Sequence, residues 1–224
     1  MRDESIAVFL SRLAARTLAP GGGATAAFHA AQAAALIAMV ARYSDGPRHD
    51  QAVVGRIRAA ADGLVDEALG LAEADAAAFA EVAAAYRLPK ETPQDKQVRE
   101  DAIARGLAGA SRPPADLMSA SARLAGLAEE MLTVANRTVI SDLAAAAAAI
   151  TAAAATARVN IEANLTGVRD ERLREELADT AALADEITDR SARLIDAVRE
   201  EINGLRPDDG EPGGSVRSKK DLGP

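Results

Sequence analysis

The chain has no cysteine and no tryptophan, and its 224 residues include only two histidines, two tyrosines and three phenylalanines. Without cysteine there is no disulfide, no thiol nucleophile and no thiolate metal site, which fits a reducing, cytoplasmic setting. The two histidines, His29 and His49, stand in no His-Glu-x-x-His or paired carboxylate–histidine pattern, so no metal site is expected. No Gly-Lys-Ser/Thr follows the glycine run that a phosphate loop would need, and no nucleophile-elbow sequence supports Ser–His–Asp catalysis. Basic blocks are missing too. With a formal net charge of −8 the chain is not expected to bind nucleic acid, because phosphate contacts need a basic face. Long apolar runs are scarce: Leu143 to Ala157 is the most membrane-like stretch, too short to span and too rich in Ala and Thr to insert well. The charged start Met1-Arg2-Asp3-Glu4-Ser5 does not read as a signal peptide.

What the chain does have is helical spacing almost throughout. Ile6, Phe9, Leu10 and Leu13 share one face, as do Leu36, Ile37 and Val40, and then Ile57, Leu64, Val65, Leu69 and Leu71. Breaks fall at Pro20 to Gly23, Ser44 to Pro47, Leu88 to Pro93, Pro113-Pro114, Asn136 to Ser141 and Gly167 to Asp170. They divide the chain into about seven helices, so the expected fold is an all-α bundle over residues 1–205. The fourth to sixth helices are expected near Gln94–Ser111, Ala115–Ala135 and Asp142–Leu165, and the last from about Glu171 to Gly204. The Pro-, Gly- and Lys-containing residues 206–224 read as a disordered tail. Gly55, Gly63 and Gly70 fall on one face of the third helix, where a close helix crossing is expected. Alanine-rich helices bury little apolar area each, so a second copy of the chain is the expected partner.

A few polar or flexible positions stand out. Gly21, Gly22 and Gly23 precede the apolar helix from Ala24 and leave the N–H groups of its first turn outward and unpaired, a natural anion cradle or an ordinary cap. Asn160 and Asn164 lie one turn apart on one face, with Asp170 just past that helix; they serve either helix–helix hydrogen bonding or a ligand. Ser141-Asp142 opens the same Ala-rich helix as an N-cap would. Lys90 sits between Pro89 and Glu91 in a rigid connection, and Asp75 comes one turn before Phe79, which reads as a core aromatic.

Taken in order, Pro20-Gly21-Gly22-Gly23, Ala34 to Val40, Asp75 to Phe79, Leu88-Pro89-Lys90, Arg99 to Ile103, Asn136, Ser141-Asp142-Leu143, Asn160 to Leu165 and Asp170 resemble the cyclodeaminase/cyclohydrolase family. That family comprises the C-terminal half of formiminotransferase-cyclodeaminase and stand-alone methenyltetrahydrofolate cyclohydrolases. The resemblance covers roughly residues 5–200. It implies a helical homodimer with folate sites near the subunit interface, a folate derivative as substrate and no separate cofactor. Because the chain has no room for a formiminotransferase half, it points first to opening of 5,10-methenyltetrahydrofolate by water, and second to formiminotetrahydrofolate cyclodeamination. A folate-binding bundle without chemistry is the reading of another class. The resemblance implies Asp142 as the base beside the cationic bridge and Lys90 as its partner. Asn160 and Asn164 would read the pterin edge, Gly21 to Gly23 would cradle the ligand, and Asp75 and Asp170 would be further substrate contacts. This chain has Ala24, Gln32 and Ala144 where the family usually has Ser, Leu and Gly.

Overall fold

The computed structural model describes residues 3–204, and the expected tail at 206–224 lies outside them. Seven α-helices follow in order: α1 (Ile6–Leu13), α2 (Gly22–Tyr43), α3 (Gln51–Tyr86), α4 (Pro93–Ala110), α5 (Arg112–Val134), α6 (Ser141–Leu165) and α7 (Glu171–Gly204), with a 3-10 turn at Arg137–Val139. The boundaries follow local chemistry. Asp50 accepts from the N–H groups of Ala52 and Val53 to start α3. Thr92 and Asp95 cap each other's backbone at α4, with Pro93 inside the first turn where its missing N–H is harmless.

The interior is built around α2 and α6, which pack on each other and on α5, with α3 against α2 and α7 against α6. Each is long and apolar enough to cross a membrane by length and composition alone. In this fold they are core helices. Their buried positions are mostly alanine, which lets the axes approach closely, while Ile37, Ile150 and Ile161 fill the gaps. Larger side chains at Ile57, Leu117, Met118, Leu124 and Met131 complete the core, each contributing about 1.5–3 kcal/mol.

Polar contacts fix the ends of α2. The buried Ser44 donates to the Val40 carbonyl at 2.8 Å and accepts from the Asn136 N–H at 2.8 Å, while the Asn136 amide donates to the Tyr43 carbonyl at 2.9 Å. His49 Nδ1 lies 2.9 Å from the Val134 carbonyl, joining the start of α3 to the end of α5. At the other end, α1 is tied down by Phe9, whose ring stacks on Phe28 of α2 with centroids 4.9 Å apart.

Two expectations need correction. A Cβ added at Gly55 or Gly63 would meet nothing within 4 Å, so these glycines do not line a helix crossing. The close approach on α3 is made from the other side: Gly106 of α4 would place a Cβ 3.4 Å from the Val82 Cα. Phe79 is not in the core either; it is 47% exposed.

Candidate functional site

The N-terminus of α2, the middle of α3, the C-terminus of α4 and the last turns of α6 surround a cleft of about 250 Å³. Gly21, Gly22 and Gly23 form one wall, Asp75 and Phe79 another, and Asn160 and Asn164 a third, with Leu18 at the rim. Six of the nine residues singled out from the sequence therefore meet in one place.

The glycine turn is shaped by its neighbours rather than by a strained backbone. Gly21 stands at the N-cap of α2 in extended conformation and offers no side chain, so the first N–H groups of this helix need partners from elsewhere. One partner is Asp75: its carboxylate, carried in from α3, accepts from the Ala24 N–H. The carboxylate occupies the space a Cβ on Gly23 would need, so any side chain at that position would have to push the Asp75 carboxylate aside. Gly22 faces α6, where an added Cβ would lie 3.5 Å from Asn160 Oδ1. Asp75 thus caps α2 from another helix, and the N–H groups of Gly22 and Gly23 remain in the uncapped first turn.

Burial pushes the Asp75 carboxyl above the usual aspartate range, and the Ala24 hydrogen bond offsets part of that rise. The asparagine pair divides into two roles. Asn164 donates from Nδ2 to the Ala110 carbonyl at 3.1 Å and so holds α6 to the end of α4. Asn160 Nδ2 is buried and has no hydrogen-bond partner. An unpaired buried amide costs about 1–3 kcal/mol, and its position on the cleft wall offers a donor to a bound molecule.

Lys90, Asp142 and Asp170 lie apart from the cleft. Lys90 is exposed in the α3–α4 connection. Asp142 occupies the first turn of α6, where a carboxylate suits the helix dipole, about 27 Å along that helix from Asn160 at 1.5 Å per residue. Asp170 accepts from the Leu173 N–H at 3.0 Å at the start of α7 and borders a separate shallow depression with Asp101, Arg105 and Arg169. Within one chain, none of the three reaches the ligand space beside Asp75. Among the described residues, no group of three or more histidine, aspartate or glutamate side chains could hold a metal ion.

Leu18, Ala76, Ala110 and Ala163 also line the cleft and have no signature that sequence could offer, since each contributes only shape. Phe79 was legible as an aromatic one turn from Asp75, but spacing alone does not show that it faces the cleft rather than the core.

The family model for formiminotransferase-cyclodeaminase matches residues 5–183. The chain belongs to the formiminotransferase-cyclodeaminase family. Formimidoyltransferase-cyclodeaminase of Rattus norvegicus is 33% identical over 176 residues, which is 77% of this chain and 32% of the rat protein. This family member therefore spans about a third of that bifunctional relative. Methenyltetrahydrofolate cyclohydrolase of Methylorubrum extorquens is 30% identical over 205 residues, covering 90% of this chain and 99% of the relative. The crystal structure of formiminotetrahydrofolate cyclodeaminase from Thermotoga maritima superimposes with a TM-score of 0.75 at 24% identity, over 91% of this chain and 98% of that one. The fold of the family is thus shared across the whole bundle.

Proposed function

We propose that the chain is an enzyme acting on a tetrahydrofolate that carries a one-carbon unit at N5, and that its reaction is formiminotetrahydrofolate cyclodeamination. The comparisons favour this order over the hydrolytic reading that chain length alone suggested: the matching family model, several relatives and the solved structure bear the cyclodeaminase name. The observation that carries the mechanism is Asp75, a carboxyl on the wall of the open cleft whose hold on its proton is strengthened by burial.

The chemistry needs one proton from outside the substrate. N10 attacks the formimino carbon and a new C–N bond forms. The N10 proton moves to the former imino nitrogen, and a second proton turns that nitrogen into ammonia as the C–N bond breaks. The bridge is left as an amidinium cation. A protonated Asp75 supplies the second proton, and the carboxylate it becomes then lies against the cation. The same group fits the change of charge in both directions. Asn160 Nδ2 and the N–H groups of Gly22 and Gly23 are the donors for the pterin carbonyl edge. A cleft of about 250 Å³ suits the fused-ring head of the substrate and leaves the rest outside it.

Lys90 and Asp142 keep a part in this chemistry only if a second copy of the chain brings them to the cleft. Hydrolysis of 5,10-methenyltetrahydrofolate is the second reading, favoured by the full-length match to the Methylorubrum protein; there the Asp75 carboxylate takes the proton from water.

The test uses both substrates with purified protein. Ammonia release from 5-formiminotetrahydrofolate faster than methenyltetrahydrofolate loses its absorbance supports the first reading, and the reverse ranking supports the second. Neither reaction above the buffer rate, with a folate still bound in calorimetry, leaves the non-catalytic binding bundle.

A further inference from the structure

The cleft does not end at Phe79. An apolar shelf continues from it along α3, sharing Leu18 and Phe79 with the cleft and extending over Val82 and Ala83 to Tyr86 and Arg87. Three of its residues are large and exposed: Leu18 by 56%, Phe79 by 47% and Tyr86 by 52%. Phe79 and Tyr86 stand two turns apart on one face of α3, and Val82 between them is buried as the shelf's floor.

The far end of the shelf is cationic. Arg87 donates from Nε to the Ala83 carbonyl at 3.1 Å, which holds its stem along the helix end. Arg99 of α4 donates from Nε and Nη2 to the Tyr86 carbonyl at 3.3 Å, and its guanidinium lies 5.5 Å from the centre of the Tyr86 ring. Lys90 follows in the connection; the neighbouring Glu91 carboxylate accepts from the Lys90 backbone N–H at 2.9 Å. The acid at the cleft and the aromatics thus lie along α3, with cations following just past its C-terminal end and on α4.

We infer that this shelf is the subsite for the p-aminobenzoylglutamate portion of the folate, with the benzoyl ring on Phe79 and Tyr86 and the glutamate carboxylates at Arg87. The inference rests on the proposed folate reading of the cleft. Length and charge both favour this occupant. From Asp75 to Arg87 the helix rises about 18 Å, and ordinary bond lengths put a folate's glutamate on the order of 15 Å from its pterin edge. Tetrahydrofolate is apolar and aromatic in the middle and anionic at the tail, in the order the shelf presents. A guanidinium fork is also the side chain best suited to a carboxylate.

The experiment is calorimetry on the full chain with two probes, 5-formyltetrahydrofolate and 6-methyltetrahydropterin, the second having the head alone. Arg87→Ala and Tyr86→Ala are each expected to weaken the folate roughly tenfold, Arg87→Lys to recover part of the loss, and the tetrahydropterin affinity to stay as in the wild type. Folate affinity equal in variants and wild type overturns the inference and leaves the folate reading of the cleft standing. Equal weakening of both probes overturns it as well, since the substitutions then act on the cleft's shape. A fall in assembled mass of these variants in sedimentation assigns the shelf to a protein contact and also overturns it. If the wild type binds neither probe, the folate reading itself fails and takes the inference with it.

Discussion

Asp75 does two jobs that pull against each other. It caps α2 by accepting from Ala24, and it sits where burial disfavours its charge. Its folded pKa is raised above the unfolded value, so its contribution to stability is fully present below the ordinary aspartate pKa of about 4 and is lost as pH rises through the folded pKa. Asp75→Asn keeps an acceptor for Ala24 without the charge. It is expected to raise the melting temperature relative to wild type at neutral pH, with the difference shrinking toward pH 4, and to lower turnover by about 10²–10⁴-fold as a lost general acid would. Melting curves across that range and a single rate measurement check both halves. Gly23→Ala tests the same carboxylate from the other side. Its Cβ would displace the flexible end of the Asp75 side chain rather than backbone, so the variant is expected to fold normally and lose activity nearly as Asp75→Asn does. Glu129 shows the opposite sign: hydrogen bonding to Arg190, at 2.9 and 2.7 Å, holds its carboxyl below the usual range. Its stabilisation is present above the unfolded pKa and is lost as the solution is acidified through the folded one.

Helices were legible because their signals are local. The proline- and glycine-containing breaks act within a few residues, and the observed boundaries fall close to those read from them; the Thr92–Asp95 capping box and the Asp50 cap, equally local, fix the starts of α4 and α3. Asp50→Ala removes the acceptor for two N–H groups and is expected to cost about 1 kcal/mol, read as a lower denaturant midpoint at unchanged slope. The cleft was legible only in part. Gly21 to Gly23, Asp75, Asn160 and Asn164 were each recognisable as unusual residues in apolar surroundings. That Asn164 is spent on the Ala110 carbonyl while Asn160 is left unpaired depends on where α4 ends, which spacing on α6 does not encode. Gly55 and Gly63 misled for a related reason: periodicity gives the face a residue occupies, not whether another helix lies over it. Asp142 shares α6 with Asn160 but stands near its opposite end, a separation already implicit in the single helix expected over both residues.

On the scale of the whole molecule, the bundle leaves apolar side chains outside. Ile6, Val8 and Leu10 of α1 are 64%, 47% and 53% exposed, although α1 is anchored to the bundle by Phe9. Such a face invites a partner. We expect sedimentation to give a mass twice the 23.1 kDa of the chain, and Ile6→Asp combined with Leu10→Asp to return it to one chain; a single-chain mass for the wild type would exclude the dimer. The hydrogen bond from Ala24 to Asp75 has one more consequence, at the level of what can be watched. That amide proton belongs to the first turn of one helix and reports the charge of a carboxyl on another, so its nuclear magnetic resonance frequency should titrate with the site itself. It should also exchange with solvent when α2 and α3 part. A single backbone proton is thus both a pH indicator and a latch sensor for the cleft.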